Sequence, residues 1–269
     1  MAQSKNRSAG TREETSSIAP GQPHRYRRSV SKPPLSLVAL SAALSLLSIP
    51  AEAQRRAPQQ ATPASLQSGA VWLSPAIGLR YRIDERWTFQ MDTQFRFDGA
   101  SGTLLDVQVR PGFEYILAPN WGLGAGYVQY QRYLAGQTTS RGAFQDVLYR
   151  ARIDTLPIAG RWRWEELFYD NGTYLIRTRL LAGLRIPLKD TPWELAFSDE
   201  VFFNVGNNGP NRRQGWAQNR IYAGFGRALT PWAKASLGYE LDTYNPTGSM
   251  PNGVRNIHNI KLNLVFDLN

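Results

Sequence analysis

The sequence predicts an all-β protein: an antiparallel up-and-down β-barrel of twelve strands, with ten as the alternative count, built to span a membrane. Three observations predict it. Apolar and polar residues alternate with period two over roughly the last 200 residues, tight connections alternate with longer ones, and a Trp follows each tight connection. Side chains of a β-strand point to opposite faces in turn, so period-two alternation marks two-faced strands and excludes amphipathic helices. Such a strand fits a membrane barrel, greasy toward lipid and wet toward a lumen, or a soluble sandwich with a greasy core.

The strands follow in order. In 71–83, Val71, Leu73, Ile77, Leu79, Tyr81 and Ile83 share one face around Pro75, opposed by Ser74, Gly78, Arg80 and Arg82. In 87–97, "WTFQMDTQFRF", Trp87, Phe89, Met91, Phe95 and Phe97 oppose Thr88, Gln90, Asp92, Gln94 and Arg96. In 103–117, Leu105, Val107, Val109, Phe113, Tyr115 and Leu117 oppose Asp106, Gln108, Arg110 and Glu114. In 173–186, Tyr174, Ile176, Leu180, Leu184 and Ile186 oppose Arg177, Arg179 and Arg185. The last strand sets Ile260, Leu262, Leu264, Phe266 and Leu268 against Asn259, Lys261, Asn263 and Asp267. Further strands fit 121–133, 143–155, 161–169, 193–205, 217–229 and 232–244, which makes eleven. Two termini on one side of a membrane require an even number, so a weak first strand is expected at about 60–69.

Tight connections are read at 84–86, 118–120, 157–160, 189–191 and 230–231, and long ones at 134–142, 206–215 and 245–255. Short turns on one side and long loops on the other is the pattern of outer-membrane barrels, with the tight turns periplasmic. Trp87, Trp121, Trp162, Trp193 and Trp232 stand just after the tight connections. Indoles prefer the membrane–water interface, so these five are expected to form an aromatic girdle, although parity puts Trp232 on the wet face. Phe97, Tyr133, Tyr174 and Phe203 are candidates for a second girdle. "NGT" at 171–173 reads as an Asn-Gly hairpin turn.

An export signal precedes the strands. Residues 35–49 form a 15-residue apolar run after Arg25, Arg27, Arg28 and Lys32, with small residues at Ala51 and Ala53. That is a secretory signal peptide cleaved after Ala53, and too short for a comfortable membrane helix of about 20 residues. The organisation is therefore 1–53 signal with an extended N-region, 54–69 polar Pro-rich lead-in, and 70–269 barrel. Read from Val30, the signal has ordinary length. Seven basic and three acidic residues lie in 1–53, leaving 24 and 18 downstream, so the formal charge of +10 falls to +6 over the rest. Those charges interleave in sign, and nucleic-acid binding, which needs a concentrated basic face, is not expected. The chain has no Cys, so disulfides and thiolate metal sites are absent, and no metal-ligand spacing is visible.

With wet faces inward, the lumen is lined by Arg110 and Glu114, by Arg150 and Arg152, by Arg161, Arg163 and Glu165, by Arg177 and Arg179, and by Glu200 and Arg220. Opposite charges on neighbouring strands can pair laterally. Such pairs either fill a narrow barrel as a polar plug or, because Arg outnumbers acid, line a narrow, weakly anion-preferring pore. Gly122, Gly124 and Gly126 share the wet face, where small residues leave room for long Arg side chains; no helix follows to make a phosphate loop. Two other readings stand beside the membrane barrel. One is a lipid-modifying barrel enzyme using His258 with Ser236, Ser249 or Asp242. The other is a soluble periplasmic barrel with an apolar ligand inside, its greasy faces turned inward. No catalytic constellation is convincing, and no cofactor is expected. Expected partners are outer-membrane lipid and, during insertion, the barrel-assembly machinery of a Gram-negative cell.

"RWRWEE" (161–166), "RTR" (177–179), "DEVFF" (199–203), "NRIYAGFG" (219–226) and "LGYE" (237–240) resemble, in matching order over about 70–269, a bacterial outer-membrane family catalogued as domain of unknown function 2490. The resemblance implies an outer-membrane-type β-barrel and implies no activity. Glu166 stands where the family pattern has a further Arg.

Overall fold

The computed structural model describes residues 67–133, 138–207, 214–245 and 256–268. The signal peptide, most of the lead-in and Ser249 lie outside these. Eleven strands follow one another: β1 (Ala70–Arg82), β2 (Trp87–Asp98), β3 (Leu104–Ala118), β4 (Trp121–Arg132), β5 (Thr138–Ile153), β6 (Leu156–Tyr169), β7 (Tyr174–Pro187), β8 (Trp193–Asn207), β9 (Gly215–Thr230), β10 (Ala233–Tyr244) and β11 (Asn256–Leu268). Each pairs antiparallel with its sequence neighbours, and β1 pairs with β11 to close the ring. Closure leaves no exposed sheet edge.

The seam corrects the expected twelve strands. β1 and β11 run parallel, from Ala70 beside Ile257 to Tyr81 beside Leu268. Hairpins reverse direction at every turn, so an odd ring brings its first and last strands together running the same way, and a parallel ladder with evenly spaced, slanted bonds satisfies their backbone groups. Residues 67–69 form a turn rather than a strand, with Gly69 N–H donating to the Asn256 carbonyl at 2.8 Å. The ring accordingly begins at the long-loop end and finishes at the tight-turn end.

Local chemistry fixes the hairpins. Asp84 Oδ1 accepts from the backbone N–H groups of Arg86 and Trp87, both at 2.7 Å, and builds the first turn. At the opposite end, Gly172 sits at φ 77° and Asn171 Oδ1 accepts from the Thr173 N–H, so the Asn-Gly turn forms as read. The turn expected at 157–160 lies instead at Asp154–Thr155, where Asp154 adopts φ 55° between the paired Ile153 and Leu156. Asp tolerates that left-handed conformation, whereas Pro157 and Gly160, which look like breakers, are carried inside β6. β5 also starts earlier than expected, at Thr138.

The distribution of side chains is inside-out. Leu117 and Ile153 are each 60% exposed on the exterior, as are Val71, Leu73, Ile77, Phe113, Leu180, Phe225 and Leu262 to lesser degrees. Glu165 and Asp242, on inward positions, are 0% exposed. A soluble barrel with a greasy interior would have the faces reversed, so that reading is corrected. Toward the long-loop end the exterior turns polar over β4–β6, with Gln129, Gln131, Gln145 and Glu166 and an Arg141–Asp170 ion pair at 3.2 Å. Elsewhere the greasy exterior reaches the loop end, at Val71 and Leu73 of β1, Val205 of β8 and Trp216 of β9, so the polar exterior is a patch on β4–β6.

Candidate functional site: the charged interior

The interior is built on inward residues of β5 to β10. Glu165 receives Arg177 at 2.5 Å and Arg179 at 2.7 Å, with Arg163 at 3.8 Å. Arg163 in turn grips Asp146 through Nε and Nη2, at 2.7 and 2.6 Å. Glu200 collects Arg161 at 2.6 Å, Arg179 at 2.8 Å and Arg220 at 4.0 Å, and Arg220 reaches Asp242 at 3.0 Å. Five guanidinium groups and four carboxylates therefore form one continuous lattice across six strands. Flat, forked guanidinium groups suit such sharing because each can satisfy two carboxylates at once.

The remaining predicted lining residues lie around this lattice. Arg110 pairs with Asp92 at 2.6 Å, and Glu114 binds Arg150 through both oxygens and Arg80 at 3.5 Å. Arg152 lies exposed at the end of β5 and joins none of these pairs among the described residues.

Aromatic platforms, which the parity reading did not single out, hold the lattice in place. Phe202 lies under Arg177, Arg179 and Arg220, with ring centres 5.5, 4.6 and 4.7 Å from the guanidinium carbons. Phe144 lies 4.0 Å under Arg163. Such contacts are worth about 2 kcal/mol or more when desolvated. The signal was present: Phe202 shares the parity of Glu200 and Asn204, and Phe144 that of Asp146. The neighbours that the glycines of β4 make room for are not the expected arginines. A Cβ on Gly126 would strike the Phe144 ring at 2.5 Å, one on Gly124 would meet Asp146 at 3.1 Å, and one on Gly122 would meet Glu114 at 3.3 Å. Gly224 and Gly238 likewise make room for the Tyr222 ring.

The two ends of the interior differ. At the loop end, Trp72, Leu105, Tyr244 and Ile257 form one apolar cluster, and Val128, Phe144, Leu167 and Leu175 another. Leu105, expected on the exterior, is turned in by a β-bulge at Arg96/Phe97, which shifts parity by one residue. At the turn end, Arg80, Arg150, Arg185 and Lys234 keep 38–53% of their side-chain surface open, against 20% for Glu194 and 2% for Glu114. Water therefore reaches the interior from the turn end. Between the two ends lies a cavity of about 220 Å³, lined by Arg110, Arg161, Arg179, Arg220 and Lys261 against Glu200 and Glu240, with Gln94, Tyr222 and Asn263 among its other walls.

The exterior Trp residues divide. Trp87 packs on Tyr115 at 4.9 Å, Trp121 on Tyr149 at 4.8 Å and Trp232 on Phe266 at 6.0 Å between ring centres, and Arg227 lies 5.3 Å over Trp193. Trp232 stands in the turn just before β10, outside the strand whose parity put it on the wet face, and its partner Phe266 belongs to the greasy face. Trp162 is not beside a turn. It stands in the body of β6, paired with the exposed Leu180, because the turn lies at 154–155. Among the described residues the catalytic alternative is not assembled, Ser249 lying outside them. His258 meets the Tyr239 hydroxyl at 2.6 Å on the exterior, whereas Ser236 bonds Asn263 and Asp242 is buried inside, so the wall separates them.

Beyond geometry, the family described as "Protein of unknown function (DUF2490)" matches residues 70–250. The chain belongs to that family. The match covers β1 to β10, and β11 lies beyond it. Among solved structures, the chain is similar to one described as "NanC porin structure in rhombohedral crystal form", at 15% identity over 67% of this chain and 85% of that one, with a TM-score of 0.45. No curated protein matches the chain.

Proposed function

We propose that this DUF2490 chain is an integral outer-membrane β-barrel whose interior is a salt-bridged plug rather than an open channel. The observation that carries the reading is the inside-out wall: exterior Leu117 and Ile153 are 60% exposed while interior Glu165 and Asp242 are 0% exposed. Water does not tolerate a continuous greasy belt around a folded monomer, and hydrocarbon does. The greasy wall is seated in lipid, with Trp87, Trp121, Trp193 and Trp232 at its periplasmic border, and the polar patch at the loop end of β4–β6 lies at the opposite face of the membrane. The apolar run at 35–49 and its cleavage site supply the export step, and insertion falls to the barrel-assembly machinery.

A second reading is a narrow, weakly anion-preferring pore, favoured by the open cationic side chains at the turn end. Both readings make the mature chain fold only in detergent or lipid and migrate differently on gels before and after boiling. In planar bilayers the plug gives no conductance steps, and the pore gives small steps selective for anions. A processed chain that stays monomeric and folded in plain buffer ends both.

A further inference from the structure

The cavity beside the lattice has walls in which cations outnumber acids. Five of its seven charged lining side chains are cationic. Two polar atoms on its walls are donors without a hydrogen-bond partner, Arg161 Nε and Gln94 Nε2, and the Tyr222 hydroxyl stands with them, bonded to Ser236. Gln94 is 95% buried, being only 5% exposed. A buried donor left unpaired costs roughly 1–3 kcal/mol, so donors gathered on one cavity describe a place where an acceptor belongs. The approach agrees with the walls. Arg80, Arg150, Arg185 and Lys234 stand open at the turn end, where a cationic mouth concentrates anions and steers them inward. The loop end is closed by apolar clusters, so a solute enters and leaves by the same side.

We infer that this cavity is a binding site for a compact oxyanion, a phosphate or carboxylate group, reached from the turn end and held by Arg161, Gln94 and Tyr222. The inference deepens the proposed function, resting on it only for which compartment the turn end faces. Glu200 retains Arg179 and Arg220 as partners when Arg161 turns toward a ligand, so the lattice survives occupancy. Tyr222 is placed for the task by Gly224 and Gly238, which its ring covers.

The test is calorimetric titration of the detergent-folded barrel with inorganic phosphate, and separately with acetate, each against chloride at matched ionic strength. One-to-one saturable binding of either oxyanion is expected, with chloride giving none. Arg161→Gln should weaken it at least about tenfold, as expected for a lost hydrogen bond to a charged group. Tyr222→Phe keeps the ring over its glycines and removes only the hydroxyl, and should weaken binding several-fold. Preserved heat-modifiable migration shows that each variant folds. No saturable heat, or equal affinity in wild type and both variants, overturns the site. Failure of the membrane reading would appear instead as solubility without detergent and would leave the titration unchanged.

Discussion

Glu165 and Arg179 meet at 2.7 Å inside the ring, on adjacent strands, with both side chains almost wholly removed from water. Arg163 stands directly opposite Arg179 across the β6–β7 ladder, and Arg177 opposite Glu165. Two like charges face each other because Glu165 lies two residues from Arg163 on the same strand and diagonal to Arg179 across the ladder. Removing that carboxylate leaves buried cations uncompensated, which is far more costly than an exposed ion pair is valuable.

Glu165→Gln should therefore destabilise the barrel by about 3–5 kcal/mol. The readout is the temperature at which the folded band converts to the unfolded band on gels. Combining it with Arg177→Gln should recover part of the loss, since one orphaned cation is then gone. An unchanged conversion temperature in Glu165→Gln would mean the lattice is solvated rather than packed.

Tyr222 and Gly238 make a second, steric prediction. A Cβ on Gly238 would lie 2.4 Å from the Tyr222 ring. Gly238→Ala must push that ring off its seat, at a cost of about 1–3 kcal/mol for overpacking. The double variant Gly238→Ala with Tyr222→Leu should be more stable than Gly238→Ala alone, because the smaller side chain relieves the clash. Equal stabilities would show that the ring lies elsewhere.

The strands and their two faces were legible in the sequence because hydrocarbon outside and charge inside impose period two on every strand. What escaped has local causes. A bulge at Arg96/Phe97 shifts the parity of β3 by one, which is why Leu105 turns inward, and Trp232 faces outward because it belongs to the turn before β10 and not to the strand. Asp154 accepted a left-handed conformation that composition gives to Gly, so the turn fell before Pro157 and left Trp162 in mid-strand. The lattice partners were legible only as neighbours, since Arg179 bridges Glu165 and Glu200 on two different strands, a choice made by side-chain reach. Phe144 and Phe202 were hidden by the habit of assigning aromatics to the greasy face.

Asp84 gives the pH prediction. The N–H groups of Trp87 and Arg86 hold its carboxyl below the ordinary carboxylate value by hydrogen-bonding the charged form. A carboxyl whose pKa is lower folded than unfolded stabilises the fold above its unfolded value, and that contribution disappears as the pH falls through the folded one. Wild type should thus be more stable than Asp84→Asn at neutral pH, and the two should converge in acid. A constant difference across the titration would remove Asp84 as its cause.

Trp depth separates the girdle from the wall. Trp87, Trp121, Trp193 and Trp232 should be quenched by lipids brominated near the headgroup, Trp162 more strongly by lipids brominated deep in the chains, and Trp72, packed inside, by neither. Single-Trp variants with the other indoles replaced by Phe give each depth in turn. Quenching of Trp162 at the same shallow depth as the four would return it to the girdle and place the β5–β6 turn nearer 157–160.

The parallel seam is the feature on which the ring depends. Leu73 of β1 lies opposite Ile260 of β11, both on the exterior. Neighbouring strands run about 4.8 Å apart, within the 4.4–6.8 Å between α-carbons that a disulfide spans. The sequence contains no Cys, so Leu73→Cys with Ile260→Cys has no competing thiol. Oxidation of the folded double variant should close a covalent ring that migrates faster than the linear chain after boiling and returns to it on reduction. A twelfth strand between β1 and β11 would set the two sites two strand spacings apart, about 9–10 Å, beyond reach of the bond. The same oxidation would then leave free thiols, and the barrel would be even-numbered after all.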